Sequence, residues 1–283
     1  MATTGDVLNG LRLNALNGAE IVCGRFRNRR IPKHHHDGLM LAVVDDGVQC
    51  VRYRGETYRG GAGMLIAIPP EEVHASEPGD ENGWCNRTIT IPTPLIKSLT
   101  GIGVGHFCCT TVFADPHLTR MLAHIFAEFG RAPILELEQT LQAMLMRFMM
   151  LHADAVMPIP TRVGPEAHAV ARCKAYLASR MDQNVQLAEL ETVSGIDQFR
   201  LVKSFTRLEG LPPHAWHIQQ RVRCARVLLS GGATVADAAY ATGFADQAHF
   251  TRVFKRLRGM TPGHYRRGHL RLIEVPSKEF AAV

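Results

Sequence analysis

TVADAAYATGFADQAHFTRVFKRLRGMTPGHYR, residues Thr234 to Arg266, reads as two short helices around a tight turn. Val235, Ala238 and Ala239 give the first helix an apolar side. Gly243 suits the positive φ that a helix–helix turn requires. Asp246 stands where a carboxylate accepts hydrogen bonds from the exposed N–H groups of a helix start. Phe250, Val253, Phe254 and Leu257 follow at i, i+3, i+4 and i+7, which is one buried stripe. At about 100° per residue, Ala248, Thr251, Arg252 and Lys255 fall on the opposite side. Gly259 and Pro262 end the helix. A helix buried along one side and cationic along the other suits the DNA major groove. Short basic helix pairs also occur in ordinary packing, so this stretch does not decide the matter alone.

A repeat decides it. LAELETVSGIDQFRLVKSFTRLEGLPPHAW begins at Leu187, about 49 residues upstream. Asp197-Gln198 corresponds to Asp246-Gln247, Leu201 and Phe205 to Phe250 and Phe254, Lys203 to Arg252, and Leu208 to Leu257. Gly210 and Pro213 correspond to Gly259 and Pro262. Two copies of one layout, each with an outward cation at the same place, are not a chance of packing.

At these residues the chain resembles the AraC/XylS family of bacterial transcription regulators, and its DNA-binding domain covers about residues 167–267. The resemblance implies sequence-specific binding to double-stranded DNA, with two reading helices in successive major grooves, about 34 Å apart. It implies Gln198, Phe199, Arg200 and Lys203 as groove positions in the first copy and Gln247, Ala248, His249 and Arg252 in the second. Arg and Lys pair with guanine, Gln with adenine, and apolar side chains with the thymine methyl. Arg221, Arg223, Lys255, Arg256 and Arg258 are read as phosphate contacts, which set register without reading sequence. A long helix from about His214 to Leu229 matches the family's rigid connecting helix.

Charge supports this division. Residues 167–268 hold fifteen Lys and Arg against seven Asp and Glu, a net of +8, which leaves −2 for the rest of a chain whose formal charge is +6. A basic C-terminal part beside a mildly acidic remainder fits a polyanionic partner at one end only. At 283 residues the chain is long enough for two domains. No apolar run reaches the roughly 20 residues of a membrane span, and the first residues lack the layout of a signal peptide, so a cytoplasmic protein is expected. The seven cysteines are scattered and odd in number, without a C-x-x-C pair. They read as reduced thiols rather than a disulfide framework or a zinc module.

Upstream, residues 31–92 form short apolar or alternating runs broken by glycine. Candidate strands at 39–44, 47–53, 56–59, 64–68 and 85–92, with a first at 21–26, predict a small sandwich or barrel. This part is similar to a degenerate cupin, the usual N-terminal domain of many AraC-type regulators. His34 and His36 match the H-x-H of the first cupin motif, but Met40 and Leu41 stand where its glutamate belongs. Gly63, Pro69 and His74 match the second motif, with Glu71 in place of the inner glycine. His34, His36, Glu72, His74 and Trp84 are the candidate effector-binding residues, Trp84 being equally readable as lid, pocket wall or core. Successive strand residues point to opposite faces, so at most two of His34, His35 and His36 face inward. The missing glutamate argues against a resident metal or other cofactor. A metal-sensing regulator using His34, His36 and His74 is the alternative. A cupin metalloenzyme carrying a DNA-binding module would need the full ligand set, so the protein is not expected to be an enzyme.

From Asp115 the period becomes 3.6. Leu118, Met121, Leu122, Ile125, Phe126 and Phe129 mark one helix; after Pro133, Leu137, Leu141, Met144, Leu145, Phe148 and Met149 mark another. They pack on their own domain or on a second subunit; the resemblance implies a homodimer. ADAVMPIPTRVGPE is broken by four prolines and glycines. The expected organisation is multidomain: a cupin-like β-barrel with two following helices over 1–152, a linker over 153–166, an all-α domain with two helix-turn-helix motifs over 167–268, and a tail over 269–283. The expected function is a DNA-binding transcription regulator controlled by a small-molecule effector, an activator that meets RNA polymerase as the family implies.

Overall fold

The structure is a computed structural model that describes residues 7–13, 16–102, 109–153 and 164–270. The chain divides into two compact units, with Pro160–Arg266 forming the second.

The first unit opens with β1 (Val7–Leu13), β2 (Ala19–Phe26), β3 (Ile31–His34) and the long β4 (Gly38–Tyr53). β5 (Glu56–Gly61), β6 (Leu65–Ile68), β7 (His74–Pro78) and β8 (Trp84–Pro92) follow, then α1 (Thr93–Thr100), β9 (Val112–Phe113), α2 (Pro116–Glu128) and α3 (Ile134–His152). All strand pairs are antiparallel. One run has the order β1-β2-β8-β4-β6-β9, while β5 and β7 pair with β4, and β3 with β7. β4 belongs to both groups. Its first half lies between β8 and β6, its second between β5 and β7.

Alternation along β4 gives the sheet two apolar faces. Leu39, Leu41 and Val43 join a core that includes Leu118, Leu122, Ile125 and Phe126 of α2 and Leu137, Leu141, Met144 and Phe148 of α3. Met40, Ala42 and Val44 point the other way, into a second cluster with Val51, Tyr53, Ile66 and Ile68. A register shift in the pairing with β8 between Val44 and Asp46 marks a bulge. There Arg87 clasps Asp45 with contacts of 2.6 and 2.9 Å. The strands expected at 39–44 and 47–53 are therefore one strand, because Asp45 and Asp46 form a bulge rather than a turn.

Asp115 ties α2 to α3. One carboxylate oxygen caps α2 through the N–H groups of His117 and Leu118, and the carboxylate also accepts from Arg147 and His152 of α3. Burial alone would raise its pKa; the Arg147, His152 and Leu118 hydrogen bonds outweigh it and hold the carboxyl well below the usual range.

The second unit is helical: α4 (Pro165–Ala178), α5 (Leu187–Ser194), α6 (Gln198–Glu209), α7 (Pro213–Ser230), α8 (Val235–Ala241), α9 (Gln247–Arg258) and α10 (Pro262–Leu270). α4 packs on α5 and α6, and α7 on α8. Phe205 of α6 and Phe250 and Phe254 of α9 are wholly buried. α4 begins at Pro165, inside the stretch read as linker, since proline is well suited to the first turn. The remainder of that stretch, 154–163, lies outside the described residues, as does the tail from 271. Pro262 ends nothing more than the turn after α9. It starts α10, whose Tyr265 is buried with its ring 5.5 Å from that of Phe254. The described cysteines are all free thiols; Cys108 is outside the described residues. Among the described residues no helix is long and apolar enough to cross a membrane.

Replacing Asp115 by Ala should destabilise the first unit by about 2–3 kcal/mol, through a lost cap and lost charged hydrogen bonds. The wild-type contribution is present above the ordinary carboxylate pKa and drains away as the pH falls below it. Denaturant melts of both proteins at pH 7 and pH 3 check this: the difference between them should shrink on acidification.

Candidate nucleic-acid interface and effector site

In both helix-turn-helix motifs an aspartate caps the second helix. Asp197 accepts from the N–H of Arg200 at 3.0 Å, and Asp246 from that of His249 at 2.6 Å. Each helix ends on a left-handed glycine, Gly210 with φ 71° and Gly259 with φ 83°. Leu201, Ser204 and Phe205 of α6, and Phe250, Val253 and Phe254 of α9, face the core. That fixes the outward rows. Phe199, Arg200 and Lys203 are exposed, Phe199 by 81%, and Gln198 is half-buried with its amide 2.8 Å from the Glu191 carboxylate. Gln247, Ala248, His249 and Arg252 are exposed. Glu166 of α4 reaches Arg200 at 2.9 Å and Arg207 at 2.8 Å, and its hydrogen bonds from Arg200, Ser204 and Arg207, in that order, keep its pKa below the usual value.

The five expected phosphate contacts divide. Arg223, Lys255 and Arg256 are exposed and Arg258 is half-buried. Arg221 is not a phosphate contact: it is 7% exposed, and its guanidinium donates to the carbonyls of Gly243, at 2.8 Å, and Gln183. Burial lowers its pKa, with Asp182 opposing. The Gly243 turn is left-handed with φ 72°, and a Cβ there would come within 2.7 Å of the Asp182 backbone. Arg221 thus fastens the turn of the second motif to the segment leading into the first. Its neighbour His217 is also buried; burial first and Arg221 second push its pKa down to about 4.

In the first unit, His34 and His74 are direct cross-strand partners in the β3–β7 pair, which places both rings on one face. Their centroids lie 4.3 Å apart, and His36 adds its ring 4.9 Å from His34 and 5.2 Å from His74. His35 points elsewhere and meets Glu71 at 3.3 Å. Nδ1 of His34 bonds the Pro32 carbonyl at 2.8 Å, and Nδ1 of His74 that of Glu72 at 3.1 Å. Burial pushes the His74 pKa down to about 4, so its imidazole is neutral at physiological pH.

Two expected members of this site stand apart from it. The Glu72 carboxylate is held by Arg54 at 2.5 Å, so only its backbone carbonyl serves the histidines. Trp84 is a core residue, 2% exposed and stacked on Phe26 with centroids 4.6 Å apart, rather than a lid. Strand pairing across β2 and β8 sets these two rings against each other.

Other residues were not foreseen. Gln49 donates to Ser76 at 3.1 Å and accepts from Asn86 at 2.8 Å, all three buried. Gln49, Val51 and Tyr53 stand opposite Pro78, Ser76 and His74, so this polar ladder shares the face of the histidines. Polar residues at alternate strand positions ordinarily read as solvent-facing, and no sequence signal separates these. Glu71, in the place of the motif's glycine, keeps a left-handed backbone with φ 63° and donates its N–H to the His36 carbonyl at 2.7 Å.

Comparison with known proteins assigns a family to each of the two units. The helix-turn-helix domain family matches residues 190–268, and the AraC-like ligand binding domain family residues 19–145. The transcriptional activator NphR of a Rhodococcus species is 35% identical over 248 residues, 83% of this chain and 72% of NphR. The chain belongs to the AraC family of transcriptional regulators. The arabinose operon regulatory protein of Salmonella typhimurium is 23% identical over 247 residues, 82% of this chain and 84% of that protein. The crystal structure of ToxT from Vibrio cholerae O395 has the same fold, with a TM-score of 0.56 at 14% identity over 94% of this chain and 98% of ToxT. This AraC-type regulator therefore carries an N-terminal ligand-binding domain and a C-terminal helix-turn-helix DNA-binding domain.

Arg221→Ala should cost about 2–4 kcal/mol of stability, since it leaves two buried carbonyls without their donor. The salt dependence of DNA binding by the protein that remains folded should be unchanged. A lowered salt slope with unaltered stability would return Arg221 to the phosphate contacts.

Proposed function

We propose that α6 and α9 read DNA through Gln198, Phe199, Arg200 and Lys203 in one half-site and Gln247, Ala248, His249 and Arg252 in the other. The observation that carries this is the equivalence of Lys203 and Arg252, which are exposed at matching positions of a duplicated motif whose opposite side is core. Arg223, Lys255, Arg256 and Arg258 supply phosphate contacts that set the register. Exposed Phe199 suits a thymine methyl. Arg200 exchanges Glu166 for DNA, which lowers the net gain from that contact and makes Glu166 a brake on non-specific binding. A small-molecule effector binds the inner face of the N-terminal sheet near His34, His36 and His74. Control follows from unequal affinity of that effector for two arrangements of the protein. The relatives named as activators support an activator; contact with RNA polymerase and a cytoplasmic location are part of the same proposal.

A homodimer is supported by α3. Leu135, Met146 and Met150 are 65%, 41% and 76% exposed. At about 100° per residue they lie within roughly 60° of one another on the side of α3 away from its core, a sector they share with the exposed Gln139. Met150→Lys should shift sedimentation from dimer to monomer; a wild-type chain that sediments as a monomer at all concentrations rejects the pairing.

Arg252→Ala should weaken a cognate site by about 1–3 kcal/mol and relax preference at one base pair. Lys255→Ala should weaken all sequences alike and reduce the salt slope by about 1. Binding measured against a set of single-base operator variants at several salt concentrations separates the two. A loss from Arg252→Ala that is equal on every sequence would move Arg252 to the phosphate contacts.

A further inference from the structure

We infer that the cavity between α4, α5 and α7 is a site for one small oxyanion that carries a proton, held by His217 and Arg221. It belongs to the helical unit and uses none of the residues assigned to reading DNA.

The cavity has a volume of about 70 Å³. At about 30 Å³ per liquid water, that is room for about two waters or for one ion of the same bulk. Leu177, Val185 and Leu190 make its apolar wall. His214, His217 and Arg221 enter from α7 at i, i+3 and i+7, so they share one face of that helix. Helix side chains lean toward the N-terminus, which carries Arg221 back toward His217. His214 and Asn184 are exposed and mark the open side.

Two polar atoms of this wall are buried without a hydrogen-bond partner among the described residues: Nε2 of His217 and Nε of Arg221. Their residues are 4% and 7% exposed. Polar groups so buried ordinarily hold a hydrogen bond, so each calls for a ligand atom. The two atoms ask for opposite things. His217 bonds the backbone of Arg180. A carbonyl only accepts, so that bond takes the ring proton on Nδ1 and leaves Nε2 with a lone pair. Nε of Arg221 always bears its proton. A ligand that satisfies both donates from one oxygen and accepts at another. Hydrogen phosphate and bicarbonate each carry such a pair of oxygens within a small ion.

Charge selects an anion over a pair of waters. The other two hydrogen bonds of Arg221 go to neutral carbonyls, and Asp182, whose charge acts on it, is exposed. No side chain caps α7. The N–H groups of its first turn therefore add the positive end of a helix dipole beside Pro213 and His214, both in the cavity wall. A buried cation gains most from an anion that reaches it through hydrogen bonds. Because Arg221 ties Gly243 to Gln183, the bound ion sits on the contact that fastens the second turn to the segment ahead of the first motif.

The test uses full-length protein in chloride buffer at pH 7, with calorimetric titration and thermal melts in phosphate, bicarbonate or sulfate at matched ionic strength. Phosphate or bicarbonate should bind once per chain and raise Tm by ~2 °C or more. Sulfate also strengthens burial in general but has no proton at this pH. It should bind at least ~10-fold more weakly, since it leaves Nε2 unpaired. His217→Phe keeps a ring and removes the acceptor, and should weaken binding of the protonated ion ~10-fold or more. His217→Leu should do the same if the phenylalanine variant does not fold. His264→Gln, an exposed histidine of α10, should match the wild type. A wild type that binds neither phosphate nor bicarbonate leaves the cavity to water and overturns the site. Equal binding by a folded His217 variant puts the ion on the exposed cations of the reading helices and overturns it too. Binding of sulfate as tight as that of phosphate and bicarbonate overturns the proton-bearing ligand.

Discussion

One buried guanidinium sets the geometry of the C-terminal domain. Arg221 leaves α7, the helix between the two motifs, and binds the carbonyl of Gly243 in the second turn and that of Gln183 ahead of the first motif. Gly243 packs so closely on Asp182 that no Cβ fits between them. A buried charge is stable only when its hydrogen bonds are made. The contact therefore holds only when both segments are in place, and it couples two units that α7 alone would join as a simple rod. It fixes the turn ahead of α9 against the segment ahead of α5.

The N-terminal unit solves a different problem with one strand. β4 needs two apolar faces because the helices α2 and α3 cover one side and a second strand group closes on the other. Its bulge at Asp45 and Asp46 lets it serve both groups, and Arg87 neutralises the aspartate that the bulge brings inward. The inner face gathers Gln49, Ser76, Asn86 and the three histidines, and it does so by register. His34 and His74 lie forty residues apart, yet antiparallel pairing sets them side by side.

The two units differ in how they serve a regulator. The DNA side presents side chains outward from helices whose cores are apolar, so its chemistry is on the surface and its precision comes from packing beneath. The effector side keeps its polar groups inside, where low dielectric strengthens each hydrogen bond and makes an unpaired group costly. A ligand that completes those interactions in one arrangement of the sheet and not in another has a large free energy with which to bias the protein.

Much of this was legible in the chain itself. Helical stripes, aspartate caps and glycine ends are local, and they repeat 49 residues apart, so both helix-turn-helix motifs, their outward rows and the two helices after Asp115 follow from sequence. The strands at 21–26 and 85–92 follow from alternation, and the motif spacing singled out the three histidines that the sheet brings together. What sequence could not show depends on neighbours distant along the chain. Arg221 reads as one more surface cation until α7 is packed, and Trp84 reads equally as lid, pocket wall or core until β2 brings Phe26 against it. β7 is too polar to announce a strand, and α1 is too short to show a period. Local periodicity decides which residues face a core. Only tertiary packing decides which core, and whether a charge at its edge meets solvent or the backbone of another motif.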